Sequence, residues 1–346
     1  MSQFEEVLAE TIKIMCTPGR GILAADESVG TIGKRFDLID VENTEENRRC
    51  YRDYLFSTPN FGKYISGVIL YEEQVFQKTS EGVLFPEIIR QSGAVAGWKS
   101  DTGLRPLEGY DKDTVTQGLD NLAVRCQKVF KAGCRFTKFR SAFHINTKCP
   151  SSLSVSWNAM VQARQAKIAQ ENGLVPIVEP EVLVSTIEDP QDMEDAYRVT
   201  KWVLTETFRQ LNLHKVDLRY MILKPNMIYT KKALQEKKYD LIAEKTFQLF
   251  TETLPTSLPG IFFLSGGQDE LSSTINLDKI NKIKKQKTQK ICPWYISFSY
   301  GRALQRSALE AWKGKTENKE NLQKAFTKRA LKNSQASIGE YVNEED

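Results

Sequence analysis

Short apolar runs rich in β-branched residues recur along the chain at intervals of roughly 30 to 45 residues. Most segments between them carry apolar residues at three- and four-residue steps, as helices packed on a sheet do. The predicted strands occupy residues 21–27, 64–73, 94–101, 134–143, 174–182, 218–227, 260–267 and 294–302. Eight such units predict a single (β/α)8 TIM barrel of the α/β class, with an open doubly wound sheet as the alternative.

The organisation of the chain is uniform. No Pro-, Gly- or Ser-rich linker divides its 346 residues, and 40% hydrophobic residues suffice for a large core. We therefore predict a single domain over 1–346, with the barrel over about 20–305 and C-terminal helices and a short tail over about 306–346.

Composition excludes several function classes. A formal net charge of +4 is far from the excess of a dedicated nucleic-acid binder, and the basic run 278–290 reads as a solvated helix face or loop. No apolar stretch approaches the roughly 20 residues that span a bilayer. The first 16 residues form an acidic amphipathic pattern, unlike a signal peptide. We expect a soluble cytoplasmic protein that neither binds nucleic acid nor inserts into membranes.

Metal and cysteine chemistry are disfavoured by residue spacing. The six cysteines include no CxxC pair, which is typical of reduced cytosolic thiols. The two histidines, His144 and His214, have no metal-ligand spacing. The sequence predicts no metal site and no cofactor.

Charged residues recur near the carboxyl ends of the predicted strands. Alternate residues of a strand point to the same side. The resulting same-side pairs are Lys99 with Asp101, Lys138 with Arg140, Glu179 with Glu181, and Lys224 with Asn226. Active sites of this barrel form at the carboxyl ends of the strands. Because burying ions together is costly unless they pair or meet a ligand, this pattern favours a charged substrate over a self-satisfied ion-pair network.

Several motifs, in order along the chain, resemble the class I fructose-bisphosphate aldolases. They are GILAADES, ENTEENRR, TQGLDNLAVRC, VPIVEPE, LKPNM, FLSGGQ and FSYGRALQ. The resemblance covers about residues 5 to 341. It implies a lyase of glycolysis and gluconeogenesis that reversibly cleaves fructose 1,6-bisphosphate to dihydroxyacetone phosphate and glyceraldehyde 3-phosphate without metal.

The resemblance also implies catalytic roles. Cleavage between two hydroxylated carbons needs an electron sink, which a lysine amine supplies as a protonated imine. Lys224 of LKPNM resembles the Schiff-base lysine, and Lys138 is its electrostatic partner, which disfavours a charged Lys224. Glu179 resembles the general acid/base, supported by Glu181. Asp26 resembles the residue that deprotonates the C4 hydroxyl, although an aspartate there could instead cap the following helix.

Two phosphates must be held at opposite ends of the substrate. Resemblance assigns one to residues after the last two strands, which are Ser265, Gly266, Gly301 and Arg302. It assigns the other to Ser28, Thr31, Lys99 and Arg140. Thr31 stands where the family commonly has serine.

Departures from the family pattern spare every residue assigned to chemistry. After LKPNM the usual VTPG is IYTK, the loop after VEPE reads VLVSTIEDPQD, and DKG becomes DTG. The sequence given ends at GEYVNEED, before the family's terminal tyrosine, so protonation of the enamine carbon has no assigned residue.

Other functions stay open at this point. A Schiff-base aldolase that prefers a monophosphate ketose is one. A catalytically weakened scaffold that binds actin or membrane-protein tails is another, and an RNA binder built on 278–290 is a third. Resemblance further implies sugar phosphates as ligands and a homotetramer as the assembly.

Overall fold

A computed structural model describes residues 4–184, 193–287 and 292–342. Within them, eight parallel strands close into a barrel in the order β1-β10-β9-β8-β7-β6-β3-β2. The barrel strands are β1 Gly21–Ala25, β2 Ile65–Leu70, β3 Val95–Lys99, β6 Phe136–Phe143, β7 Val175–Val182, β8 Ile222–Leu223, β9 Gly260–Phe263 and β10 Tyr295–Tyr300. The prediction of a TIM barrel is confirmed, and the open sheet is wrong because β1 pairs with both β2 and β10.

Helices surround the barrel and follow most of its strands. They are α1 Glu5–Met15, α2 Val29–Phe36, α3 Glu45–Phe56, α4 Glu72–Val75, α5 Phe85–Gln91, α6 Leu122–Lys131, α7 Ser152–Gln170, α8 Met193–Leu213, α9 Lys231–Gln235, α10 Tyr239–Thr253, α11 Glu270–Lys285, α12 Arg302–Trp312 and α13 Lys319–Ser337. Side-chain oxygens cap several amino termini, for example Ser151 at α7 and Asp269 at α11. None of the described helices is long and apolar enough to cross a bilayer.

Alternation along the strands divides the apolar residues into two clusters. Ile22 of β1 belongs to a cluster inside the barrel, whereas its neighbour Leu23 packs in the larger cluster between strands and helices. On β7, Val175 and Ile177 point inward. Glu179 occupies the next inward position toward the carboxyl end. The same side of one strand therefore changes from apolar to charged along its length.

Helix α1 packs across the amino end of the barrel. Its Leu8 and Met15 are buried in the inner cluster together with Phe136 of β6 and Phe262 of β9. The acidic amphipathic pattern predicted at the chain start is thus a helix that covers this end of the barrel with its apolar face.

Two segments differ from their predicted structure. The segment 113–133 has helical periodicity, but the helix begins only at Leu122. Before it, β5 Thr114–Gln117 pairs antiparallel with β4 Gly103–Pro106, because Gly118, at φ 132°, interrupts a helical path. The predicted strand 218–227 is reduced to β8, since Leu218–Tyr220 form a 3₁₀ turn and Pro225 follows Lys224.

Some sequence interpretations lie wholly or partly outside the described residues. These are the loop departure within 185–192, the end of the basic run at 288–290, and the last residues, 343–346. Residues 278–285 of the basic run belong to α11, where Asp278 is buried and Lys282 pairs with it.

Candidate active site

A cleft of about 930 Å³ opens at the carboxyl end of the barrel. Every residue predicted for the site lines it. They are Asp26, Ser28, Thr31, Lys99, Lys138, Arg140, Glu179, Glu181, Lys224, Ser265, Gly266, Gly301 and Arg302. The barrel therefore brings together residues that are far apart in sequence, from Asp26 to Arg302.

Lys138 lies at the centre of the charged groups. From β6 its Nζ approaches Asp26 Oδ2 at 2.7 Å, Glu179 Oε2 at 3.4 Å and Asp101 Oδ2 at 4.0 Å. Burial would lower the pKa of Lys138, but the three carboxylates outweigh it and raise the pKa well above its ordinary value. Lys138 is therefore a fixed cation inside the site.

Lys224 and Glu179 form the adjacent pair. Lys224 Nζ lies 3.1 Å from Glu179 Oε1, and both side chains are almost fully buried. The backbone of Lys224 stays in register with the sheet although β8 has already ended, because its N–H donates to the Val178 carbonyl at 2.9 Å. Glu179 thus bridges the ammonium groups of Lys138 and Lys224.

Asp26 follows β1 directly. Burial by itself would raise its pKa, but Lys138 and Lys224 outweigh this and lower the pKa to about 2. Its alternative role as a helix cap is wrong, since Ser28 is the N-cap of α2 and accepts from the Thr31 N–H. Asp26 is thus an ionised carboxylate that faces the cleft.

Arg140 and Glu181 form a second ion pair beside the first. Arg140 Nε donates to Glu181 Oε2 at 2.5 Å across neighbouring strands β6 and β7. Burial would lower the pKa of Arg140, but the nearby carboxylates raise it. Glu181 therefore orients a guanidinium that already faces the cleft.

The rim near α2 carries hydroxyl groups and a lysine. Ser28 Oγ lies 3.0 Å from Thr31 Oγ1 at the first turn of α2. Lys99 Nζ donates to the Asp101 carboxylate at 2.5 Å and to its carbonyl at 2.9 Å. The amino terminus of a helix together with a cation is a suitable setting for an anion.

The opposite rim is built from backbone. Within the described structure, the N–H groups of Ser265, Gly266 and Gly267 donate to no protein acceptor. Gly301 is the N-cap of α12, and Arg302, its first residue, is exposed. Free N–H groups beside a helix amino terminus and an arginine also suit a phosphate.

Further cleft residues were not predicted as site residues. Asp101 holds Lys99, and its spacing of two from Lys99 was the available signal. Ser299 Oγ is buried without a hydrogen-bond partner in the described structure. Ser299 is on β10, lines the cleft and precedes Gly301 by two residues. Alternation along this strand would have found Ser299 as well.

A buried network behind Asp26 was also missed. Glu27 accepts from Arg52 at 2.7 Å, from Gln305 at 2.9 Å and from Arg35, which lines the cleft. These residues come from three helices and one loop, so no local pattern in the sequence reveals the network. It fixes the backbone just after Asp26, because Arg52 also donates to the Ala25 carbonyl at 3.1 Å.

Among the described residues, no cluster of three or more His, Cys, Asp or Glu side chains could hold a metal ion. The acidic side chains of the cleft are instead paired with lysine and arginine.

The barrel and the buried amine beside a carboxylate match a class of TIM-barrel enzymes that use a lysine amine as nucleophile. Comparison with known proteins narrows this class. The family of glycolytic class-I fructose-bisphosphate aldolases matches residues 7–346. The chain belongs to this family.

Named relatives agree along nearly the full length. The chain is 47% identical over 342 residues to the cytosolic fructose-bisphosphate aldolase 7 of Arabidopsis thaliana, covering 99% of this chain and 93% of the relative. It is 48% identical over 345 residues to fructose-bisphosphate aldolase B of Bos taurus, covering 99% and 92%. The predicted class I aldolase, a lyase, is confirmed, and these matches favour it over the scaffold.

A solved structure gives the same fold. The fructose-bisphosphate aldolase from Plasmodium falciparum, crystallised in complex with TRAP and a small molecule inhibitor, is 43% identical with a TM-score of 0.93. The match covers 98% of this chain and 96% of that chain.

Proposed function

We propose that this chain reversibly cleaves fructose 1,6-bisphosphate to dihydroxyacetone phosphate and glyceraldehyde 3-phosphate through an imine on Lys224. One observation carries the proposal, the position of Glu179 between the ammonium groups of Lys224 and Lys138, at 3.1 and 3.4 Å. This arrangement offers an amine, a carboxylate that exchanges protons with it, and a fixed neighbouring cation.

Imine formation begins when Glu179 takes a proton from the Lys224 ammonium and the resulting amine attacks the C2 ketone. A second proton then passes from the nitrogen to the C2 oxygen to give the carbinolamine, and Glu179 returns its proton to this hydroxyl, which leaves as water. Lys138 stays charged throughout, because the surrounding carboxylates raise its pKa. The resulting protonated imine at C2 is the electron sink.

Cleavage of the C3–C4 bond then releases its electrons into that imine. Asp26 accepts the proton of the C4 hydroxyl, and an aldehyde forms at C4. Because the pKa of Asp26 is about 2, it is a weak base. We therefore expect proton transfer to accompany bond cleavage, when the developing enamine drives it.

The two phosphates bind at the two rims. The loop Ser265–Gly267 follows β9, the neighbour of the strand that precedes Lys224. This loop would hold the C1 phosphate, because C1 is bonded directly to C2, the carbon that forms the imine with Lys224. Ser28, Thr31, Lys99 and Arg140 would hold the C6 phosphate, and Asp101 and Glu181 keep the two cations in place.

The proposal is tested by borohydride trapping with dihydroxyacetone phosphate, followed by peptide mass spectrometry. Reduction of the imine should label Lys224, and Lys224→Ala should lose the adduct. A label on Lys138 or Lys99 would contradict the assignment.

Exhaustive EDTA treatment tests the electron sink. Activity should survive, since the imine takes the role that a metal has in other lyases. Loss of activity that added zinc restores would contradict the imine route.

Substrate preference is a separate question. We propose the bisphosphate because cationic groups line both rims of the cleft. Relative turnover of fructose 1,6-bisphosphate and fructose 1-phosphate tests this, and a higher kcat/KM for fructose 1-phosphate would contradict it and favour the aldolase that prefers a monophosphate ketose.

We further propose that residues 1–346 form a single domain and that the protein is a cytoplasmic homotetramer. An apolar stripe on α7 supports self-association, because Leu153, Trp157 and Met160 are 40%, 46% and 40% exposed at helical spacing. Light scattering tests the assembly, and a monomer at micromolar concentration would contradict it.

Actin binding is a second proposal for the same chain. Exposed Lys34 and Arg302 on the cleft rim support an acidic partner. Cosedimentation with filamentous actin tests it, and binding should weaken when bisphosphate fills the cleft.

A further inference from the structure

The segment that follows Lys224 departs from the family pattern at a buried position. Where VTPG is usual, this chain has Ile228, Tyr229 and Thr230, so a tyrosine replaces a threonine. Tyr229 is almost completely buried, as are Met227 and Ile228 before it. A large aromatic residue with a hydroxyl group at a buried position normally gives that hydroxyl a partner.

Three contacts tie this segment to the phosphate loop Ser265–Gly267 and its flanks. Leu264 N–H donates to the Pro225 carbonyl at 3.1 Å. Gln268 Nε2 lies 3.6 Å from Met227 Sδ. The Tyr229 hydroxyl donates to the Gly266 carbonyl. Of these contacts, only the one from Tyr229 reaches a residue of the phosphate loop itself.

The Gly266 carbonyl belongs to the same peptide unit as the Gly267 N–H. In a trans peptide these two groups point in opposite directions. When the Gly266 carbonyl accepts from Tyr229, the Gly267 N–H therefore points away from Tyr229. Gly267 has φ 79°, a left-handed conformation that favours glycine and that turns successive N–H groups toward one point.

The other side of the loop is also confined. A Cβ at Gly266 would lie 2.8 Å from Glu181 Oε1, so the loop backbone sits directly against the carboxylate that pairs with Arg140. Rotation of the Gly266–Gly267 peptide would point its carbonyl at a different set of groups. The Tyr229 hydroxyl favours one of the two orientations.

We propose that Tyr229 is a positioning residue for phosphate binding, which orients the Gly267 N–H toward the C1 phosphate by holding the Gly266 carbonyl. The inference rests on the proposed function, because it takes Ser265–Gly267 as the C1 phosphate loop. It adds a specificity element that acts on phosphorylated ketones and leaves the chemistry at Lys224 unchanged.

The test compares two ketones that differ only in the phosphate. Imine trapping by borohydride is measured against the concentration of dihydroxyacetone phosphate and of dihydroxyacetone, for the wild type and for Tyr229→Phe. The variant should need about 3- to 10-fold more dihydroxyacetone phosphate for half-maximal trapping, the range expected for loss of one neutral hydrogen bond. Its response to dihydroxyacetone should equal that of the wild type.

Tyr220→Phe is the matched control. Its hydroxyl donates to Glu5 of α1 at 3.0 Å, and Tyr220 lies in the 3₁₀ turn before β8, at the end of the barrel opposite the phosphate loop. It should leave both trapping curves unchanged. Inorganic phosphate as a competitive inhibitor gives a second measurement, and its inhibition constant should rise by the same factor in Tyr229→Phe.

The possible outcomes distinguish failure of the role of Tyr229 from failure of the proposed imine route on Lys224. Equal trapping curves for Tyr229→Phe and wild type, or equal losses with both ketones, overturn the role of Tyr229. Absence of any adduct in the wild type overturns the imine route itself. Should Tyr229→Phe fail to fold, Tyr229→Met, which also lacks the donor and adapts to a buried space, is measured in the same way.

Discussion

The two ends of the barrel interior use the same strands for opposite purposes. At the amino end, inward side chains such as Val175 and Ile177 belong to the same buried apolar cluster as Leu8 of α1. One inward position further along β7, Glu179 meets two lysines. Burial of each large apolar side chain contributes about 1.5–3 kcal/mol, whereas collecting charges in a buried site costs free energy even when they pair. Stability and chemistry are thus separated along the barrel axis.

The largest effect is expected at the charged end. Lys224→Met removes the proposed nucleophile, so kcat should fall by at least about 10⁴-fold, while circular dichroism shows an intact fold. The control is Lys284→Met, a half-buried lysine in α11 close to Cys16. Substantial turnover by Lys224→Met, or inactivation by Lys284→Met, would break the comparison.

A smaller loss should follow from Glu179→Gln. The amide keeps the shape of the side chain but carries no transferable proton, so kcat should fall by about 10²–10⁴-fold. Steady-state kinetics and the rate of imine trapping measure the change. If turnover fell while trapping kept its wild-type rate, Glu179 would act after imine formation and not during it.

Substitutions at the apolar amino end should lower the stability of the fold and leave activity unchanged. Leu8→Ala opens a cavity in the inner cluster, and the free energy of unfolding should drop by about 2–5 kcal/mol. Urea denaturation measures this change. Activity at 25 °C should stay at the wild-type level, and a parallel loss of kcat in folded protein would show that the two ends are coupled.

The smallest effect is a pH dependence. The pKa of Asp26 is lowered to about 2 from an unfolded value near 3.9, because Lys138 and Lys224 outweigh burial. Its ionisation therefore stabilises the fold fully above about pH 4 and loses this contribution as the pH falls toward about 2.

Asp26→Asn should abolish that part of the acid sensitivity. Between pH 5 and pH 2 the unfolding free energy of the wild type should fall by roughly 2 kcal/mol more than that of the variant. Asp37→Asn, at an exposed position, is the control. Identical pH profiles for Asp26→Asn and wild type would mean that the lysines do not stabilise the carboxylate.

Much of this arrangement follows from strand alternation. The period of two predicts that Lys138 and Arg140 share a side, as do Glu179 and Glu181, and the cleft contains all four. Motif resemblance then identifies Lys224 among many lysines. Local patterns suffice here because each prediction concerns residues on one strand.

The partners of each charge depend on neighbouring strands. The register between β6 and β7 sets Arg140 opposite Glu179, and the sequence of neither strand alone predicts this register. The same holds for Glu27, whose partners come from α2, α3 and α12. The hairpin β4–β5 was missed because β5 lies in a segment with helical periodicity, and the pairing of β5 with β4 overrides that local pattern.

Helix α1 has a kinetic consequence, because it lies across the amino end and the site faces the opposite opening. In the part of the chain that the structure describes, substrate and both products pass through this same opening. In the proposed imine route, the ketone half is still bonded to Lys224 after cleavage, whereas the aldehyde half is not. The aldehyde should therefore depart first, and in synthesis the ketone should enter first. Inhibition by each product should show this compulsory sequence, with dihydroxyacetone phosphate competing directly against fructose 1,6-bisphosphate for the free amine.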